Sequence, residues 1–150
     1  MLMLASCMAD TRSLTFAQLS SKGWASTDTL VYTLEPMNGV TEGGISVLLR
    51  TENYEYGNIA FAITIEQDST LLYHEQHDYL LENCKPKKGI GHRNDYTLPI
   101  GNVTLCDTLP TIITLTLQLD KPQLTGIREV GIRVADPMRK PGEPVWKANW

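Results

Sequence analysis

The chain has 150 residues, of which 42% are hydrophobic, and it carries a formal net charge of -4 with a pI near 5.3. This length favours one domain, and the hydrophobic content is sufficient for a core and atypical of a disordered protein. The acidic balance argues against a nucleic-acid partner, because phosphate recognition needs a basic face.

The N-terminus carries the sequence Leu4-Ala5-Ser6-Cys7, which is typical of a lipobox. In such a segment a Leu and two small residues precede the Cys that carries lipid once the leader is removed. We therefore interpret residues 1–6 as the remnant of a lipoprotein signal peptide. Residues 7–13 are expected to hold the acylated, palmitate-bearing Cys7 and a tether. The alternative is a buried Cys after an ordinary Met-rich start.

The hydrophobic pattern predicts strands along most of the chain. The predicted strands are residues 14–19, 29–35, 45–52, 59–66, 71–81, 97–100, 111–119 and 127–135. Residues 59–66 alternate regularly, because Ile59, Phe61, Ile63 and Ile65 fall on one side, as in a half-buried strand, and residues 111–119 form the clearest predicted strand. The short polar segment 67–69 predicts a hairpin turn.

Two segments lack periodicity. Residues 82–97 contain Pro86, Gly89 and Gly91 and are predicted to form a long loop, while residues 137–150 form a Pro-rich extended tail. No segment shows sustained helical spacing. We predict an all-β, single-domain antiparallel β-sandwich, jelly-roll-like, over residues 14–136, with about seven to nine strands.

The chain contains three cysteines. If Cys7 is lipidated, Cys84 and Cys106 remain as a candidate disulfide in an oxidising compartment. The alternative is two free thiols, and the sequence leaves the two possibilities open.

Three aromatic residues, Trp24, Tyr54 and Tyr56, are candidates for an interaction surface, because flat rings stack on the apolar faces of ligands such as glycans. This pattern supports a lipid-anchored carbohydrate-binding module as the alternative function. Packing of the same rings in the core or beside a turn is the competing interpretation, and the one that we favour.

The residues expected of an enzyme or a metal site do not form a recognisable pattern. His74 and His77 lie three positions apart on a predicted strand, which directs their imidazoles to opposite faces. A Cys84–His92 pair is the only nucleophile and base that the spacing suggests, and no Gly-x-Ser-x-Gly elbow is present. We therefore predict no catalytic residues, no metal site and no cofactor.

Several short motifs occur in a characteristic order after Cys7: Gly23-Trp24, Tyr54-Glu55-Tyr56-Gly57-Asn58, Gly89-Ile90-Gly91 and Gly126-Ile127-Arg128-Glu129-Val130-Gly131-Ile132. This order resembles the gliding-motility lipoprotein family GldH, over roughly residues 7–135. The resemblance implies a non-catalytic outer-membrane lipoprotein that serves as an accessory to the gliding and secretion machinery, with envelope proteins as partners and acylated Cys7 in the bilayer. The resemblance also bears on orientation, because lipoproteins that such bacteria export to the cell surface tend to carry an acidic run just after the lipidated Cys. Here only one acidic residue, Asp10, closely follows Cys7, so we expect the domain to face the periplasm.

Overall fold

The computed structural model describes residues 11–54, 57–81, 87–88, 93–118 and 123–138. These residues form no α-helix, and the elements that they form are strands. The strands are β1 (Thr11–Gln18), β2 (Trp24–Ala25), β3 (Thr29–Leu34), β4 (Glu42–Glu52), β5 (Asn58–Gln67), β6 (Thr70–Leu80), β7 (Lys87–Lys88), β8 (Arg93–Thr104), β9 (Thr111–Leu117), β10 (Gln123–Leu124) and β11 (Ile127–Ala135).

Two antiparallel sheets make up the sandwich. One has the order β1-β11-β4-β8-β7 and the other the order β3-β9-β5-β6, while β2 and β10 pair separately. Eight of the described strands have six or more residues. Numbered one to eight along the chain, they lie in the orders 1-8-3-6 and 2-7-4-5, which is the double Greek key of a jelly roll. The predicted jelly-roll-like sandwich is therefore confirmed.

The core lies between the sheets and follows from the period-two pattern. In β5, Ile59, Phe61, Ile63 and Ile65 are buried, and every intervening residue is partly exposed. β9 repeats this alternation. Burial of one such side chain stabilises the fold by roughly 1.5–3 kcal/mol, so these two central strands contribute a large share of the stability.

The predicted hairpin between β5 and β6 is confirmed. Gln67 pairs with Thr70, which leaves a two-residue loop of Asp68 and Ser69. Both loop residues have positive φ, 47° and 64°, as a type I′ turn requires.

The long loop predicted over residues 82–97 is wrong at its C-terminal end. β8 begins at Arg93 and pairs with β4 along its whole length, although Asn94 and Asp95 have low strand propensity. The partner strand supplies the pairing that the local sequence does not encode. A register shift between Ile45 and Ser46 accommodates the segment around Pro99. Residues 82–86 and 89–92 lie outside the described residues.

The connections and short strands gather at two opposite ends of the sandwich. The Thr11 end contains the start of β1, the β3–β4 connection, the 67–70 turn and the β8–β9 connection, since Thr11 pairs with Ala135 at the end of β11. The Trp24 end contains β2, β10, the β4–β5 connection and the start of β8. After β11 the chain crosses Gly44, and the Asn102 side chain exchanges hydrogen bonds of 2.7 and 3.0 Å with the backbone of Met138. The rest of the predicted tail, residues 139–150, lies outside the described residues.

Candidate interaction surfaces

Trp24 does not form part of an exposed surface. Its side chain is 0% exposed and its ring lies 6.4 Å from that of Phe61, centroid to centroid. The indole N–H donates a hydrogen bond of 3.1 Å to the carbonyl oxygen of Asp28, which satisfies its one polar atom. The expectation that Trp24 could stack on a ligand is wrong in this structure, because distant core residues cover its ring.

The Gly-Trp motif and the Gly126 motif meet at the Trp24 end. Gly23 has a φ of +86°, and a Cβ there would lie 2.0 Å from the carbonyl oxygen of Leu124. Gly126 has a φ of +93°, and its Cβ would lie 2.9 Å from Cα of Tyr54. Only glycine combines this backbone conformation with such close approach, so these residues close the end of the sandwich.

Tyr54 is partly buried against the core, and its hydroxyl donates a hydrogen bond of 3.1 Å to the carbonyl oxygen of Asn58. It therefore braces the β4–β5 connection. Tyr56, the third predicted interaction residue, lies outside the described residues. An interaction role for these two tyrosines stays a prediction.

A second glycine of the last motif has a packing role on the outer face of the five-stranded sheet. Gly131 pairs with Phe16, and a Cβ on Gly131 would lie 2.7 Å from the ring. The Arg50 guanidinium lies 4.1 Å from the Phe16 centroid and forms an ion pair of 2.8 Å with Glu129. The aromatic ring thus covers the backbone that glycine leaves bare, and the cation holds the ring in place.

The cysteines are distributed unequally over the described chain. Cys106 is an exposed free thiol at the Thr11 end, while Cys7 and Cys84 lie outside the described residues. The Cys106 sulfur lies 3.2 Å from Oγ1 of Thr108, and this hydrogen bond lowers the pKa of the Cys106 thiol. Lipidation of Cys7 stays a prediction, and so does the state of Cys84 and Cys106, as a disulfide or as two free thiols.

Gln67 anchors the loop that carries Cys106. Its buried amide donates to the carbonyl oxygen of Cys106 and to Oγ1 of Thr111, both at 3.0 Å, and accepts from the Cys106 N–H at 2.8 Å. The sequence pattern contains a signal for this role. Gln67 continues the inward phase of Ile59 to Ile65, so a polar residue there must find partners inside.

The edge strand β6 places a row of polar and aromatic side chains at the opening between the sheets. His77 lies 2.8 Å from the Tyr73 hydroxyl and stacks between Tyr73 and Tyr79. Burial, assisted by a hydrogen bond to Glu75, raises the pKa of Tyr73 to about 12. Tyr79 donates a short hydrogen bond to the carbonyl oxygen of Pro99 on β8, which ties the two sheets together along this opening.

His74 and His77 lie on opposite faces of β6, as their spacing predicts. His77 pairs with Phe61, whose side chain is in the core, whereas His74 pairs with Thr64 and lies 2.8 Å from its hydroxyl on the outer face. Within the part of the chain that the structure describes, no three His, Cys, Asp or Glu side chains group in a way that could hold a metal ion. The same described residues contain no helix long and apolar enough to span a membrane.

On the opposite side, the edge strands β1 and β3 leave a groove of about 540 Å³ at the Thr11 end. The groove forms because the inner face of β1 carries Ser13 and Thr15, which are too small and too polar to fill the space. The β3 side contributes Thr33, Leu34 and Glu35. This groove is a candidate binding surface that the sequence pattern did not indicate.

Fold and surfaces together define a small all-β jelly-roll domain whose motif glycines and Trp24 close one end of a sandwich. The family model for the GldH lipoprotein matches residues 14–134, and the chain belongs to this family. It is thus a lipoprotein of a family associated with gliding motility, a membership that implies lipid-anchored localisation in the cell envelope. The family is not a known enzyme family.

No curated protein matches the chain. Among solved structures, the chain is similar to the crystal structure of dimeric latent PorU from Porphyromonas gingivalis, with 11% sequence identity and a TM-score of 0.36. The match covers 89% of this chain and 13% of the other, so the chain spans a small part of that protein's length.

Proposed function

We propose that this protein is a non-catalytic interaction or scaffold subunit of the cell envelope, held at the outer membrane by lipid on Cys7 and facing the periplasm. Its role would be that of an accessory to the gliding-motility and secretion machinery. The observation that carries the proposal is membership of the GldH lipoprotein family over residues 14–134.

The position of Cys7 in the chain supports a defined orientation. Four residue steps separate Cys7 from Thr11, where β1 begins, and they span at most about 14 Å. A lipid on Cys7 would therefore hold the Thr11 end near the bilayer and direct the Trp24 end away from it. Such confinement raises the effective concentration of the domain near membrane partners without any new contact.

Membrane fractionation tests the anchor. We expect the wild-type protein, expressed in a Gram-negative host that forms lipoproteins, to partition with membranes and to give an N-terminal peptide beginning at diacylated, N-acylated Cys7. Cys7→Ser should release the protein into the soluble fraction, while the matched variant Cys106→Ser should stay with membranes. An unmodified N-terminus on membrane-bound protein would contradict the proposal.

Protease treatment tests the orientation and cross-linking tests the role. In intact cells the domain should resist added protease, and it should become sensitive once the outer membrane is opened. Cross-linking of the wild-type protein in cells should join it to envelope proteins, and Cys7→Ser should reduce this yield strongly. Digestion in intact cells would show that the domain faces outward, and equal cross-linking of Cys7→Ser would show that the anchor does not concentrate it near partners.

A further inference from the structure

Three of the four sheet edges carry features that discourage another strand from pairing with them. β1 contains Arg12 and a register shift between Thr11 and Ser13. The β8 side carries Pro99, and the paired strand β7 consists of two lysines. Charges, proline and bulges are the usual means by which proteins protect exposed edges.

The third protected edge is β6. Glu75 pairs with Ile63 and thus lies on the inward face, yet its side chain is 62% exposed at the opening between the sheets. An inward-facing charge on an edge strand disfavours extension of the sheet.

β3 has none of these features. It reads Thr-Leu-Val-Tyr-Thr-Leu, without charge, proline, glycine or register shift, and within the described residues it pairs with β9 on one side only. Val31 is 61% exposed, and Thr29 and Thr33 are exposed beside it. The groove of about 540 Å³ adjoins the C-terminal end of this strand, at Thr33 and Leu34. An unprotected edge with an adjoining groove suits strand addition, in which backbone bonds supply affinity and pockets receive alternate side chains.

The residues that flank β3 indicate which strand would fit. Asp28 precedes the strand and Glu35 follows it, both are exposed, and neither carboxylate has an ion-pair partner among the described residues. If two copies paired β3 with β3 antiparallel in full register, Asp28 of one would oppose Glu35 of the other at both ends. Directly opposed like charges destabilise a strand pair, so a second copy is disfavoured. A strand with a basic residue at each end would instead be complementary.

We propose that β3 binds an extended segment of a protein partner, with about six uncharged residues between two basic ones, by antiparallel strand addition. The inference deepens the proposed function by naming the chemistry of the partner, and it rests on that function for its biological role. Peptide binding to β3 itself does not depend on the lipid anchor, so the two can fail separately.

The test uses the full chain in detergent and two synthetic peptides of eight residues. Both alternate threonine and valine internally; one ends in lysine on both sides and its twin ends in glutamate. The wild-type protein should prefer the lysine peptide by about tenfold, since two attractive pairs replace two repulsive ones. The double variant Asp28→Lys/Glu35→Lys should reverse the preference. Asp78→Lys, an exposed charge reversal on β6 of the same sheet, should leave it unchanged.

Amide hydrogen exchange locates the contact. Binding of the lysine peptide should slow exchange within residues 29–34 and leave residues 70–80 unaffected. Protection on β6, equal affinity for the two peptides, or a dimer that forms through β3 without peptide would each overturn the proposal.

If the lysine double variant does not fold by circular dichroism, Asp28→Asn/Glu35→Gln replaces it and should abolish the preference. If the peptide does not bind β3, the result of the lipidation test is unaffected. If Cys7 carries no lipid, peptide binding to β3 is unaffected.

Discussion

The hydroxyl of Tyr32 donates a hydrogen bond of 2.6 Å to the carbonyl oxygen of Val130, across the core from β3 to β11. The bond joins the two sheets through residues that lie 98 positions apart in the chain. Burial raises the pKa of the Tyr32 hydroxyl well above its ordinary value, which keeps the group protonated and able to donate. On the opposite edge of the four-stranded sheet, Tyr79 of β6 bonds to Pro99 of β8. Each edge strand of this sheet, β3 and β6, is thus joined to the five-stranded sheet by one tyrosine.

Removal of the Tyr32 hydroxyl should weaken the connection between the sheets. Tyr32→Phe leaves the Val130 carbonyl without this buried donor, and we expect a loss of about 1–2 kcal/mol in the free energy of unfolding. Tyr73→Phe, which removes a more accessible hydroxyl, should cost about 0.5 kcal/mol or less. Urea unfolding followed by tryptophan fluorescence measures both, and equal losses would argue against a special role for the Tyr32 bond.

Alkaline pH should destabilise the fold through the tyrosines. The folded-state pKa values of Tyr32 and Tyr73 are both raised, that of Tyr73 to about 12, so the native state holds these protons where the unfolded chain has lost them. The stabilisation is complete below the unfolded tyrosine pKa of about 10 and is lost as pH rises through the folded values. The urea midpoint should therefore fall above pH 10, and Tyr73→Phe should make that fall shallower. A midpoint that is constant from pH 9 to 11.5 would contradict this account.

Gly23 at the Trp24 end has a matched control in Gly39, which lies in the β3–β4 connection at the opposite end. Their φ angles are +86° and +83°, but a Cβ on Gly39 meets nothing within 4 Å, whereas one on Gly23 meets the Leu124 carbonyl oxygen at 2.0 Å. Gly39→Ala should cost about 1–2 kcal/mol from backbone conformation alone. Gly23→Ala should cost about 3–5 kcal/mol, because steric overlap adds to that term. Thermal unfolding compares the two, and similar losses would show that the contact at Leu124 relaxes freely.

Cys106 should behave as a reactive free thiol and not as half of a disulfide. β6 carries the chain away from the Gln67–Cys106 contact by ten residue steps, roughly 33 Å. The three steps from Leu81 to Cys84 can recover only about 11 Å. Of the two possibilities that the sequence leaves open, we therefore expect free thiols. Mass spectrometry after alkylation of the native, unreduced protein should show label on Cys106, and a bridged Cys84–Cys106 peptide would contradict this expectation.

The lowered pKa of Cys106 gives a second measurement. Since the Thr108 hydroxyl stabilises the thiolate, the alkylation rate at Cys106 should reach half its maximum below the ordinary thiol value. Thr108→Val removes the hydrogen bond and should move that midpoint upward. A midpoint that does not change in Thr108→Val would assign the shift to another cause.

Much of the strand framework is encoded locally. A half-buried strand must alternate, so Ile59 to Ile65 and Ile113 to Leu117 identify their own inward faces, and Asp68-Ser69 identifies the turn between β5 and β6. The motif glycines could also be recognised from the sequence, but their purpose could not. Gly23 and Gly126 are required by Leu124 and Tyr54, which approach them only in the folded chain.

The sequence by itself determined the all-β class, the hairpin and the family resemblance, because alternation and motif order are properties of short segments. Tertiary structure decided where β8 begins, that Trp24 is covered by Phe61, and that Cys106 lies at the Thr11 end. Among the described residues, it also decided that β3 is an edge strand and that the flanking carboxylates of Asp28 and Glu35 have no ion-pair partner. Each of these depends on which distant strands become neighbours, and in a jelly roll nearly every sheet neighbour comes from far along the chain.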